Sequence, residues 1–449
     1  MFDERDAPLE AKLMLQQSLR NPAILFLTDH NGDGKPDCLW MQTRGCLDAY
    51  AKSAKPSWAE CQRAEIFHLA ATTIQGKLLW EHGTSVPLDL PYISHFANGF
   101  VCTGGLDGSG DLLALRPMGG THDLVAIDRR TGALKRDKHL PGNDWFWILK
   151  ARTKHGEIIS LDNGDMGYYP PRPSAHRFLF LDQDWNEVHL GSACGGGHWP
   201  ITFDADGDGD EELLIGYDLF KADGRLLWRM QRWRNALLDP LEQHADQHLA
   251  VQAGDGRLLI VTAGSDALYL VEADGSLRWQ RPGPHVQYCG VGRFSAGDPR
   301  SLIFVLNCRI EQDLYDLDGN LLWRGQLPEN WPGGRPAALA ANPQMHMGRP
   351  LSVWHDPLGT GLDLILYNEA GWPTAIDGSG AVRVEFPFPP EARQPDAFRV
   401  PGWPQFDDNP PHRPDDWGYG YNAEIADVDA DGKEEVVIYD RRFCWIYRL

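Results

Sequence analysis

Three nine-residue stretches carry acids at the spacing that surrounds a hard cation. Asp29, Asn31, Asp33 and Asp37 stand in DHNGDGKPD; Asp204, Asp206, Asp208 and Glu212 in DADGDGDEE; Asp427, Asp429, Asp431 and Glu435 in DVDADGKEE. Each set offers side-chain oxygens at positions 1, 3, 5 and 9 and a backbone carbonyl at position 7 (Lys35, Asp210, Lys433), a donor set for Ca²⁺ rather than for a transition metal. An EF-hand loop would place a bidentate Glu at position 12 between two helices. Position 12 of the middle copy is Ile215, and its flanks, HWPITF and LLIGY, are short apolar runs that read as strands. A helix-pair sensor is therefore excluded. The expectation is about three structural Ca²⁺ ions, each pinning a turn whose carboxylates would otherwise repel one another.

Histidines form the second set. His95, His198, His244, His248, His285 and His346 all fall where the first strand of a repeating unit would begin. Imidazole changes charge near neutral pH, which suits a general base. Nearby segments hold Tyr168, Tyr169, Trp199, Arg232, Trp233, Arg234, Arg349, Trp403 and Trp417. Aromatic faces stack on sugar rings, and guanidinium forks hold carboxylates bidentately.

The elements that must position these residues recur along the chain. IQGKLLW (74–80), ADGRLLW (222–228), ADGSLRW (273–279) and LDGNLLW (317–323) each read as a strand, a tight turn and a strand ending in Trp, with weaker copies at 129–136, 182–188 and 376–384. A pair of apolar runs precedes each, giving eight units in 449 residues, the length of a four-stranded propeller blade with its loops. The fold class is all-β: one propeller domain over 1–449, with eight blades, or seven if one unit is miscounted. The last unit is one strand short. Residues 11–18, AKLMLQQS, either supply that strand and close the ring or form a short amphipathic helix.

Strand order then sorts the loops. The acid loops join first to second strands and the Gly-Trp hairpins join third to fourth, so both share one rim. The long insertions 42–65, 163–176, 328–349 and 387–421 belong to the opposite rim, with the histidines. Nine prolines in 387–414 stiffen that last insertion.

Lys and Arg number 42 against 63 Asp and Glu, a net charge of −21 that argues against nucleic acid or an anionic membrane as partner. No run of 18 apolar residues reads as a membrane span. The acidic start MFDERDAPLE does not read as a signal peptide, so the chain reads as cytoplasmic, or as secreted or periplasmic if a leader has been removed. The eight cysteines contain no CxxC pair, and buried free thiols are expected. Phosphate-loop, Gly-x-Ser-x-Gly and zinc-ligand spacings are absent.

Blades that combine D-x-D-x-D-G loops with DG-x-L-x-W hairpins resemble the catalytic propeller of the family-11 rhamnogalacturonan lyases. The resemblance implies an eight-bladed, calcium-binding lyase that cleaves a uronic-acid-containing glycan by β-elimination. That chemistry needs a base for the C5 proton, an acid for the leaving oxygen and a group that neutralises the uronate. Position on the rim suggests His198 or His346 as base, Tyr169 as acid and Arg349 as clamp. His95, Tyr168, Trp199, His248, Arg232, Trp403 and Trp417 would line the glycan. The alternatives are a non-catalytic carbohydrate-binding or scaffold propeller, and, more remotely, a quinone-cofactor dehydrogenase. The partner expected is an acidic polysaccharide or oligosaccharide; the oligomeric state is left open.

Overall fold

A computed structural model describes residues 8–18, 24–44, 66–83, 110–118, 121–142, 145–163, 176–231, 244–283, 285–307, 311–326, 351–367, 372–387, 389, 422–439 and 443–449. Their strands form eight sheets: six of four strands, one of three and one of five. Within a sheet the order follows the chain, apart from the two N-terminal strands that join the last two blades. In the fourth, Ile201–Phe203, Glu212–Ile215, Asp218–Phe220 and Leu226–Arg229 pair antiparallel in turn. First strands of successive sheets touch: Trp147–Thr153 meets Ile201–Phe203, which is followed round the ring by Ala245–Gln252, Val286–Gly292, Ser352–Trp354 and Asn422–Ala426. First strands that touch in sequence ring a common axis. The fold is an eight-bladed β-propeller.

The second blade shows three strands, and the segment GFVCTGG expected to begin it lies outside the described residues. Residues 11–18 form no helix. Lys12–Ser18 pairs antiparallel with Phe443–Arg448 as the outer strand of the eighth blade, while Leu9–Glu10 runs parallel to Val382–Glu385 of the seventh. The two ends of the chain thus meet in one sheet.

The repeated Asp-Gly hairpins explain how blades lock together. Lys221 to Arg225 makes a tight turn, with Gly224 donating to Lys221 O and Lys221 to Arg225 O. In seven sheets the third strand slips register by one residue as it reaches this turn, the bulge that such a three-residue connection builds. The Trp that follows reaches the next blade. Trp228 Nε1 donates to Ala273 O at 2.9 Å, and its ring covers Gly275, whose φ of +85° and close packing leave no room for a Cβ. Trp80 and Trp279 make the same bond, to Arg129 O and Leu317 O. The third blade's turn has Trp185 in place of the glycine, at φ 60°, buried under the Arg136 guanidinium 4.4 Å from its ring centre.

Middle strands are buried on both faces, because each blade packs between two others. Large apolar side chains on one blade face their counterparts on the next: Phe304 and Leu306 share a cluster with Ile365 and Tyr367, and Leu214 and Leu219 share one with Ile260 and Tyr269. Each such side chain contributes about 1.5–3 kcal/mol of burial. Cys38, Cys289 and Cys444 are buried in this core as thiols. Among the described residues no helix is long and apolar enough to cross a membrane.

Candidate functional site

One end of the ring gathers imidazoles around a buried carboxylate. His198 precedes the first strand of blade 4, His244 and Asp246 open that of blade 5, and His285 stands just before that of blade 6. Asp246 is fully buried. The Nε2 atoms of His198, His244 and His285 approach it at 3.7, 3.3 and 3.2 Å, and Gln287 Nε2 donates to its Oδ1 at 2.8 Å. The rings of His198 and His244 lie 5.7 Å apart, those of His244 and His285 5.1 Å. Burial by itself would raise the Asp246 carboxyl, but His244 and His285 outweigh it and hold the group well below the usual carboxylate range. The carboxylate is thus a fixed negative charge that stabilises imidazolium on its neighbours.

The local sequence explains the convergence. In CGGGHWP, Gly197 lies so close to the Ala245 carbonyl and the His244 side chain that a Cβ would overlap both. That approach allows His198 N to donate to Ala245 O and Ala245 N to Gly195 O, stitching blade 4 to blade 5 beside the cluster. Two non-glycine residues next to it hold left-handed backbone, Trp199 at φ 45° and His285 at φ 68°. Such strain costs about 1–3 kcal/mol and gathers where geometry serves function. Tyr217 donates to His244 O at 2.7 Å and Ser265 Oγ accepts from His244 N, fixing the backbone behind the site. Solvent reaches His285 most, at 34 % side-chain exposure against 11 % for His198 and 8 % for His244.

At the other rim stand the acid loops. In each, the first aspartate caps the turn: Asp204 accepts from Gly207 and Gly209, Asp29 from Gly32 and Gly34, Asp427 from Asp431 and Gly432. The ninth-position acid turns inward and accepts a backbone N–H from position 2, as Glu212 does from Ala205 and Glu435 from Val428, both at 0 % exposure. Burial raises the carboxyls of Asp37, Glu212 and Glu435 above their ordinary values. Asp204, Asp206 and Glu212, and likewise Asp427, Asp429 and Glu435, bring three ligand oxygens within 4.8 Å of one another. Oxygen-rich groups able to hold a cation are therefore present. Lys221, in the hairpin of the same blade, reaches Asp206 and Asp208, which puts acid loops and hairpins on one rim. The first strand Ala245–Gln252 separates the turn to its second strand from Asp246 by about 20 Å at the usual rise per residue.

Of the residues singled out in the sequence, His198, His244 and His285 lie in the cluster. Trp199 follows His198, half-buried against Trp147 with ring centres 4.8 Å apart. His248 is 1 % exposed, inside the sheet, with Nδ1 2.9 Å from Thr262 Oγ1, so it offers no surface to a ligand. His95, Tyr168, Tyr169, Arg232, His346, Arg349, Trp403 and Trp417 lie outside the described residues, as do most of the four insertions. Asp246 and Gln287 are not legible as site residues in the sequence. Their only signal was their place beside His244 and His285 at strand starts.

No protein-family profile matches the chain, and no curated protein matches it. Solved structures do. The chain is similar to the exotype rhamnogalacturonan lyase YesX at 14 % identity and TM-score 0.57, covering 98 % of this chain and 74 % of that one. It is similar to the Bacillus licheniformis rhamnogalacturonan lyase PL11 at 13 % identity and TM-score 0.56, with the same coverage. It is also similar to the V. cholerae biofilm matrix protein Bap1 at 12 % identity and TM-score 0.59, covering 98 % and 91 %. At such identities the likeness establishes the fold alone.

Proposed function

We propose that this propeller binds an acidic, uronate-containing glycan at its histidine rim and cleaves it by β-elimination. The observation that supports this most is the buried Asp246 ringed by His198, His244 and His285. A fixed carboxylate among three imidazoles favours imidazolium on a neighbour, so that one ring serves as acid and another as base in this proposal. In the proposed step His198 removes the C5 proton of the uronate. The C–H electron pair becomes the C4–C5 double bond, the C4–O bond breaks, and a protonated imidazole, His285 being the most exposed, returns a proton to the leaving oxygen. Tyr169 is the alternative donor to the leaving oxygen, and Arg349 is the proposed clamp on the uronate carboxylate. Ca²⁺ is proposed as the structural ion of the loop 29–37, where register puts Thr73, and not a lysine or arginine, opposite the ninth-position acid.

The test is ultraviolet absorbance from the unsaturated product on rhamnogalacturonan and other uronate glycans. Turnover by the wild type and its loss in His198→Ala support the reading. A wild type that binds these glycans and yields no unsaturated ends would make this a binding propeller instead. A second reading rests on the three Nε2 atoms that converge on Asp246. His198, His244 and Asp246 bring their ligand atoms within 4.8 Å, a mixed nitrogen and oxygen set that suits a zinc-like divalent ion. Such an ion would neutralise the uronate carboxylate. Metal content of the purified protein, compared with that of Asp246→Asn, separates the two.

A further inference from the structure

We propose that Lys221 and Arg448 are the resident cations of two of the three acid loops, standing where a divalent ion would otherwise be held. Sheet register places them. Leu213 pairs with Phe220, so Glu212 stands opposite Lys221; Val436 pairs with Tyr447, so Glu435 stands opposite Arg448. The two cations thus occupy one topological position, across from the ninth-position acid, in blades 4 and 8. In blade 1 Cys38 pairs with Thr72, and the residue opposite Asp37 is Thr73. The motif is common to the three loops; the cation is not.

The contacts fit that role. Lys221 Nζ donates to Asp206 Oδ2 and Asp208 Oδ2, both at 2.8 Å, and lies 3.1 Å from Glu212 Oε1 as an ion pair, so it meets the acids of positions 3, 5 and 9. Arg448 spreads its fork over the same three positions, reaching Asp429 at 2.7 Å, Asp431 at 3.3 Å and Glu435. The aspartates of position 1 instead accept backbone N–H groups within their own turns. A divalent ion would need these same oxygens at about 2.3–2.6 Å and would have to expel the side chain first. Glu212 and Glu435 are fully shielded from solvent, so each needs a permanent counter-charge. Lys12 pairs with Arg448 across the closing strand, which joins the blade 8 loop to ring closure. Blades 4 and 8 would then keep their turns at any calcium concentration.

Hydrogen exchange on the full chain tests this directly. Backbone amides in 204–212 and 427–435 should be equally protected in CaCl₂ and in chelator. Protection that rises with calcium in either segment overturns the proposal. Calorimetric titration of Lys221→Met should show one more Ca²⁺ bound than wild type, with a melting temperature that has become calcium-dependent. Equal stoichiometry in the two proteins also overturns it. Should Lys221→Met not fold, exchange on the wild type decides by itself.

Discussion

The two rims of this propeller neutralise buried acid in opposite ways. At the loop rim each inward Glu is met by one strong permanent cation, Lys221 or Arg448, and by backbone N–H groups. At the other, Asp246 is met by three imidazoles and one amide, groups whose charge depends on their surroundings. The ion pairs at Lys221 hold its ammonium far above the ordinary lysine range, so it carries charge at every pH the protein meets. Imidazole, by contrast, is the side chain suited to proton transfer. A lysine or arginine pair makes a fixed joint; a carboxylate–histidine cluster makes a site that can transfer protons or hold a ligand. The same fold supplies both because first strands start at one rim and end at the other.

Removing the carboxylate from the reactive rim should produce the largest effect. Asp246→Asn keeps the shape and the Gln287 contact region but removes the charge that sustains imidazolium. Elimination activity is expected to fall about 10³-fold while the melting curve stays cooperative. Normal turnover in this variant would leave the cluster a structural feature like its counterpart. Lys221→Met is the reciprocal change. It strands buried Glu212 and should cost about 3 kcal/mol in urea unfolding without calcium, with activity per folded molecule unchanged. Activity that falls with stability in Lys221→Met, measured well below its melting point, would mean the rims are coupled. Gly275→Ala, on the latch of the loop rim, should cost about 2 kcal/mol, since it adds a left-handed Cβ against Trp228.

The fold was legible because its signals are local and repeat. Asp-Gly turns, a Trp at a fixed distance and strand-length apolar runs each follow from chemistry within a few residues, and seven hairpin copies, four of them ending in Trp, reinforce one another. The acid loops were legible for the same reason, at the level of which oxygens turn inward. What the sequence hid was register. Nothing in KADGRLLW marks Lys221 as the partner of Glu212, because that pairing exists only once the second and third strands align. Asp246 was hidden likewise: an acid between two histidines reads as an ordinary polar strand start until neighbouring blades bring His198 and His285 to it. Trp185 shows a third limit. It takes the turn position that glycine fills elsewhere, and its compensation, the Arg136 side chain, comes from the preceding blade.

The smallest expected effect tests whether a built-in cation behaves alike outside the acid loops. In blade 2, Asp123 is largely buried and ion-paired with Arg116 at 2.8 Å, and His139 Nδ1 lies 3.0 Å from it. Burial raises its carboxyl, but Arg116 and then His139 bring it below its ordinary value of 3.8. A carboxyl depressed on folding adds stability that is present above its unfolded value and lost as pH falls through the folded one. Asp123→Asn should therefore cost about 1 kcal/mol near neutral pH, and the difference from wild type should begin to shrink as pH falls towards 3.8 and vanish only once it has passed the lower, folded-state value. Urea unfolding at matched ionic strength across that range measures it. A difference that persists undiminished in acid would mean that Asp123 acts through packing rather than charge, and would weaken the equivalence between a side-chain cation and a permanent joint on which the loop rim's reading rests.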